Sequence, residues 1–180
     1  MTTASTNRYT PTAIALHWVL MLLLLGGFGL GLYMTGLPNG IHKLKLYNWH
    51  KWAGATFLAL SLLRLAWRLT HRPPPPPPMP AWQRRAAAAV QAAMYALFFI
   101  VPLIGWAYSS AVGYPLVWFG VLPLPDWVPQ DRELARAIKP WHESAAWLLA
   151  LLIVLHVAAA LKHHFLARDG LLRRMAPFST

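Results

Sequence analysis

The sequence predicts an all-α fold: an integral membrane four-helix bundle with both termini on the cytoplasmic side. Three observations carry that expectation. Of 180 residues, 57% are hydrophobic and only 12% charged, and the mean hydropathy is +0.42; an ordinary soluble domain carries about twice that share of charge. The apolar residues collect in four runs, each long enough to cross a hydrocarbon core of about 30 Å. The basic residues gather at the ends of those runs, where membrane topology places them. The formal net charge of +11 would point to nucleic acid in a soluble protein, but this distribution argues against a nucleic-acid partner and for the lipid bilayer.

The first run, 11–34, opens at Pro11 and gives about 36 Å of helix. It follows a single basic residue, Arg8, and shows no small-residue cleavage pattern, so it reads as a retained span and not a signal peptide. His17 lies near its start. Gly31, fourteen positions on, shares its face within the run Gly26-Gly27-Phe28-Gly29-Leu30-Gly31. Such glycines let a bulky group approach the backbone, or let two helices pack closely. The turn Pro38-Asn39-Gly40 and a short basic loop holding His42, Lys43 and Lys45 precede the second run, 47–69.

In that second run Trp49 and Trp52 flank His50 as interfacial anchors. Arg64 follows fourteen positions later on nearly the same face, placed either to pair with an acidic cofactor edge or to snorkel. A polyproline stretch within the loop 72–82 cannot be helical and acts as a stiff spacer. The third run, 86–109, contains Pro102 and Gly105, which invite a kink, and no histidine, so packing is its expected role. The connection 110–139 is rich in proline and tryptophan; Trp118, Phe119 and Trp127 suit a cap against the interface. Pro140 is expected to open the fourth run, 141–163, at a helix-start position.

The fourth run carries His142 near one end and His156 near the other. Fourteen residues of helix separate them by about 21 Å along the axis and about 40° around it. Both therefore lie on one face at opposite depths. Up-and-down connectivity then sorts the histidines by depth into two pairs, His17 with His156 and His50 with His142. Imidazoles at membrane depth need specific partners. Two ligands at each of two levels suit two stacked haems, and the separation excludes one zinc ion bound by all four. The alternative is four buried histidines hydrogen-bonded to neighbouring helices. With no cysteine, the chain has neither thiolate ligands nor the covalent attachment of c-type haem, so any haem is held non-covalently.

Lysine and arginine number ten on the side of the termini and six opposite, so the positive-inside rule puts the termini in the cytoplasm. His50 and His142 then lie towards the periplasm.

The segments Ile14-Ala15-Leu16-His17-Trp18, Trp49-His50-Lys51-Trp52-Ala53-Gly54, Trp141-His142-Glu143 and Leu155 to His164 resemble the bacterial cytochrome b561 family. The resemblance covers nearly the whole chain. It implies a four-helix bundle of the bacterial inner membrane with two b-type haems, and it carries ligand roles onto His17, His50, His142 and His156. Members of that family include a superoxide oxidase that passes electrons to ubiquinone.

From this follows an expected function. The chain relays single electrons from superoxide, on the periplasmic side, to ubiquinone, as an oxidoreductase. The basic residues Lys43, Lys45, Lys51, Arg132, Arg136 and Lys139 would steer the superoxide anion or serve as interfacial anchors. His163, two turns beyond His156, is expected to hold or protonate the quinone together with His164 and Arg64, unless the two histidines only cap the helix. Two alternatives stand: a cytochrome subunit receiving electrons from a periplasmic dehydrogenase or hydrogenase, and a haem-free membrane transport or assembly protein.

Overall fold

The computed structural model describes residues 8–177. Four long helices dominate: α1 (Pro11–Thr35), α2 (Ile41–Thr70), α3 (Ala81–Val112) and α4 (Arg132–Lys162). A two-stranded hairpin, β1 (Val117–Trp118) and β2 (Leu122–Pro123), interrupts the connection from α3 to α4. Beyond α4 the chain makes one π-helical turn, His163–Ala167, and a short 3-10 turn, Leu172–Met175.

Three of the helices, α1, α3 and the continuous stretch Arg132–Ala167, are long and apolar enough to cross a membrane. Their flanks show it: Leu22, Ile100 and Val154 are 65%, 44% and 63% exposed, a cost in water and a gain in lipid. The helix α2 is as long as the others but less apolar, because His42, Lys43, Lys45, His50, Lys51, Arg64 and Arg68 all belong to it. The expectation of four equivalent spans thus meets three strongly apolar helices and one that carries polar groups inward.

The helices run beyond the expected limits. Pro140 does not open α4 but lies inside it. The true start is capped by Asp131, whose Oδ1 accepts from the Glu133 and Leu134 backbone N–H groups at 2.7 and 3.0 Å. A carboxylate satisfying two orphan donors, with Glu133 in the first turn, is a stronger nucleus than a proline several residues later. His42 likewise lies in the first turn of α2 and not in a loop, because the helix begins directly after Gly40. At the other end of α2, His71 is the exposed C-cap and stacks on Trp67 at 3.8 Å.

Thr10 caps α1, accepting from Ala13 N–H at 3.3 Å, and Pro11 at the first helical position fits a site with no intrahelical donor to lose. Gly113, at φ 82°, closes α3 in the left-handed conformation that glycine adopts most cheaply. The hairpin turns through Phe119 (φ 51°) and Gly120 (φ 74°). It docks on α2 through Trp52 Nε1 to Val117 O (2.6 Å) and Trp118 Nε1 to Thr56 Oγ1 (3.1 Å).

The chain ends meet. Tyr9 N donates to Arg174 O at 3.2 Å, and Trp18 Nε1 to Met175 O at 2.8 Å. Arg174 Nη1 also reaches Pro75 O at 2.6 Å, fastening the C-terminal turn to the polyproline segment. Helix packing is closest between α3 and α4, α1 and α2, and α2 and α3.

Loss of the α4 cap gives a direct test of where that helix begins. Asp131→Ala should destabilise the protein by about 1 kcal/mol, read as a lower midpoint of thermal unfolding in detergent. No change would mean that α4 nucleates near Pro140.

Candidate functional site

The structure brings the four interior histidines together two by two. His17 of α1 faces His156 of α4 with ring centres 6.3 Å apart and planes at 68°. His50 of α2 faces His142 of α4 at 6.2 Å and 89°. All four are half-buried. The two helix pairs that present them, α1 with α4 and α2 with α4, are not among the closely packed ones. Room therefore remains between each pair of facing rings.

The spacing has a chemical meaning. A metal–imidazole bond of about 2 Å and about 1.1 Å from nitrogen to ring centre, each taken twice, sum to about 6.2 Å. Both pairs leave the room that one ion bound by both imidazoles would take. Among the described residues no group of three or more histidine, cysteine, aspartate or glutamate side chains could hold a metal ion. An ion bound by two imidazoles alone needs equatorial ligands from elsewhere, which a porphyrin supplies. The buried Trp106 Nε1, Ser61 Oγ and Ser110 Oγ have no hydrogen-bond partner among the described residues, so this core has polar atoms to offer a group bearing heteroatoms.

How the backbone aims the rings is clearest at the hairpin end. His50 Nδ1 lies 3.0 Å from Gly27 O of α1, and His142 Nδ1 lies 3.0 Å from Val101 O of α3. A carbonyl only accepts, so each Nδ1 carries the proton and each Nε2 is left as a lone-pair donor. Both rings reach their carbonyl across a glycine four residues further along the same helix. A Cβ on Gly31 would stand 3.3 Å from His50 Cε1, and one on Gly105 only 2.8 Å from His142 Cε1. The repeated arrangement explains Gly31 as clearance for an imidazole. It also gives α3 more than a packing role.

Near the termini, Arg64 Nη1 donates to Ala13 O at 3.0 Å and Nε to Tyr95 OH at 3.2 Å. Ala13 is one turn before His17, so the guanidinium sits beside the His17–His156 level. His163 Nδ1 lies 2.5 Å from Asp169 Oδ2, both side chains mostly buried. Burial pushes the Asp169 carboxyl up, but the Leu171 N–H, the His163 ring and Arg174 outweigh it and hold the group below the usual carboxylate range. His164 packs edge-on against Phe165 at 4.7 Å. Among the described residues no hydrogen bond joins Arg64 to His163 or His164.

Two residues here escape sequence reasoning. Asp169 follows the expected helix and contacts His163 only because a π-helical turn and Arg168 at φ 51° fold the chain back. Tyr95 lies on a helix without histidine. At the opposite end the basic residues are partly engaged: Arg136 pairs with Glu133 at 2.7 Å and Lys139 with Glu143 at 3.3 Å, while Lys51 donates to Pro115 O at 3.1 Å.

A membrane helical bundle with two facing imidazole pairs, each spaced for one axially bound ion, defines a class of haem-carrying electron-transfer proteins. Residues 8–178 match the family model of prokaryotic cytochrome b561, and the chain belongs to that family. It is 33% identical over 177 residues to cytochrome b561 homolog 2 of Escherichia coli, covering 96% of this chain and 93% of that protein. It is also 33% identical to cytochrome b561 homolog 1 of the same organism, with 95% and 98% covered. A probable superoxide oxidase, CybB, of Yersinia pestis is 28% identical, with 95% and 97% covered. The family consists of membrane electron-transfer proteins that bind b-type haem.

The glycine clearance is open to a graded test. Gly105→Ala should displace His142 and lower bound haem clearly, whereas Gly31→Ala should have a milder effect, measured as haem per chain in the purified protein. Equal haem in both variants and the parent would show that the rings need no such clearance.

Proposed function

We propose that this chain is a di-haem b-type cytochrome that carries single electrons across the bacterial inner membrane from superoxide on the periplasmic side to ubiquinone. The observation that carries the reading is the presence of two imidazole pairs, 6.2 and 6.3 Å between ring centres, at two heights of one bundle. His17 and His156 ligate the iron nearer the termini, and His50 and His142 the other. Each haem would supply a one-electron couple, and being held by two imidazoles would keep reactants off the metal. The likeness to a probable superoxide oxidase supports superoxide as donor, and the positive-inside rule supports cytoplasmic termini with spans 11–34, 47–69, 86–109 and 141–163.

The balance is simple. Two superoxide anions lose one electron each and leave as dioxygen; ubiquinone takes the two electrons and two protons to become the quinol. Lys45 and Arg132, with the partly paired cations around them, favour approach of the anion at the hairpin end. The protons are the task of His163. Asp169 accepts from its Nδ1, so that the ring, when protonated, donates its Nε2 proton to a quinone carbonyl. His164 and Arg64 complete the contact, and Arg64 also pairs with an acidic edge of the nearer haem.

Two measurements test this. The purified protein should show two b-type haems per chain in a reduced-minus-oxidised spectrum and should reduce ubiquinone when superoxide is supplied; alanine at any one of the four ligands should remove half or all of the haem. One haem per chain, or a full complement that superoxide does not reduce, would sink the proposal. For the proton step, His163→Ala should slow quinone reduction about 10-fold or more with both haems retained. Asp169→Asn should shift the pH profile of the same step. Unchanged quinone reduction in both variants would remove these residues from the site.

A further inference from the structure

Between the start of α1, the end of α2 and the polyproline segment lies an open cleft of about 300 Å³. Its wall includes Arg64, Arg68 and Arg72, with Arg8 at the rim, set among Trp67, Tyr95 and Pro73 to Pro75. Among the described residues no carboxylate lines it. Arginines that merely anchor a helix end extend into water separately. Here Arg64 and Arg68 are held in place, and Arg72 lines the same cleft. Arg64 is held by Tyr95 OH and Ala13 O, and the Arg68 guanidinium lies 5.5 Å from the centre of the Tyr95 ring. Arg72 stands where the stiff proline run begins. Trp67 is itself locked by Nε1 donating to Thr10 Oγ1 at 2.9 Å. Arg8 Nη2 is engaged by Ala176 O at 2.8 Å, which leaves the other three as the cationic wall.

We propose that this cleft is a binding site for a phosphate group, a function beyond the electron relay. Like charges held together in a partly apolar cleft call for an anion. The donor set selects which anion. One guanidinium fork satisfies a carboxylate, whereas the forks of Arg68 and Arg72, backed by the charge of Arg64 on the same wall, match the several oxygens and higher charge of a phosphate. The volume is at the lower end of ligand pockets and suits a headgroup-sized ion. The cleft opens at the end of α2 beside Leu69, 78% exposed. Two sources share this chemistry: the headgroup of an anionic phospholipid and a soluble phosphate.

The test uses the purified full-length haem-loaded protein in phosphate-free neutral detergent. Inorganic phosphate and short-chain phosphatidylglycerol are titrated separately, with diacylglycerol of the same chain length as control, and binding is read as a saturable rise in melting temperature. Saturation by phosphatidylglycerol alone assigns the site to lipid, and saturation by inorganic phosphate assigns it to a soluble ion; either supports the proposal. The double variant Arg68→Gln, Arg72→Gln should bind the active probe at least 10-fold more weakly with an unchanged haem spectrum. Arg72→Gln alone, at the exposed start of the proline run, should weaken it in the same direction. Neither probe saturating, both variants binding as the parent does, or loss of haem in Arg72→Gln would overturn it, the last by assigning the arginines to the cofactor.

Discussion

An imidazole at membrane depth has no water to satisfy its ring nitrogens, and the bundle answers that demand with its own backbone at His50 and His142. At the hairpin end each ring gives its proton to a backbone carbonyl of a neighbouring helix, so the other nitrogen must look elsewhere. It looks towards a second imidazole across a gap of the size an axially ligated ion fills. Two unprotonated nitrogens facing one another would be unfavourable without a cation between them. The hydrogen bonds to Gly27 and Val101 therefore do more than position the rings: they leave each Nε2 as a lone-pair donor suited to a metal.

The same demand governs helix packing. The bundle draws α1 against α2 and α3 against α4, and joins the two halves through α2 and α3. It keeps α4 apart from α1 and α2, where the facing rings lie. Glycine is used where a ring must cross a helix to reach its backbone, at Gly31 and Gly105, and bulky residues elsewhere keep the halves from collapsing, as where Phe28 meets Trp147 edge-on at 5.1 Å. The helix without histidine contributes a carbonyl to one level and the Tyr95 hydroxyl to the other.

Much of this was legible in the sequence, for a definite reason. A helix has a fixed rise and turn, so a separation of fourteen residues between His142 and His156 fixes their relative height and face before any tertiary contact is known. Pairing then follows from alternation of direction. Element boundaries were harder. Pro140 carried a helix-start signal that the Asp131 cap overrode, and His42 looked like loop because Lys43 and Lys45 masked the start of α2. Asp169 and Tyr95 could not be read at all. One depends on a π-helical turn and a left-handed Arg168, the other on the rotation of α3 relative to α2, and neither is encoded in a periodic pattern.

The two levels also differ electrostatically, and the difference has a direction. At the hairpin end the imidazoles donate to carbonyl oxygens, which makes them more basic ligands and favours the more positive state of a bound metal. At the other end a fixed cation, Arg64, lies one turn from His17 and favours the less positive state. In the proposed relay, an electron entering near the hairpin would be drawn towards the level nearer the termini, where His163 and its carboxylate partner lie two turns beyond His156. In that relay, chain polarity, backbone hydrogen bonding and one interior arginine would together set the gradient.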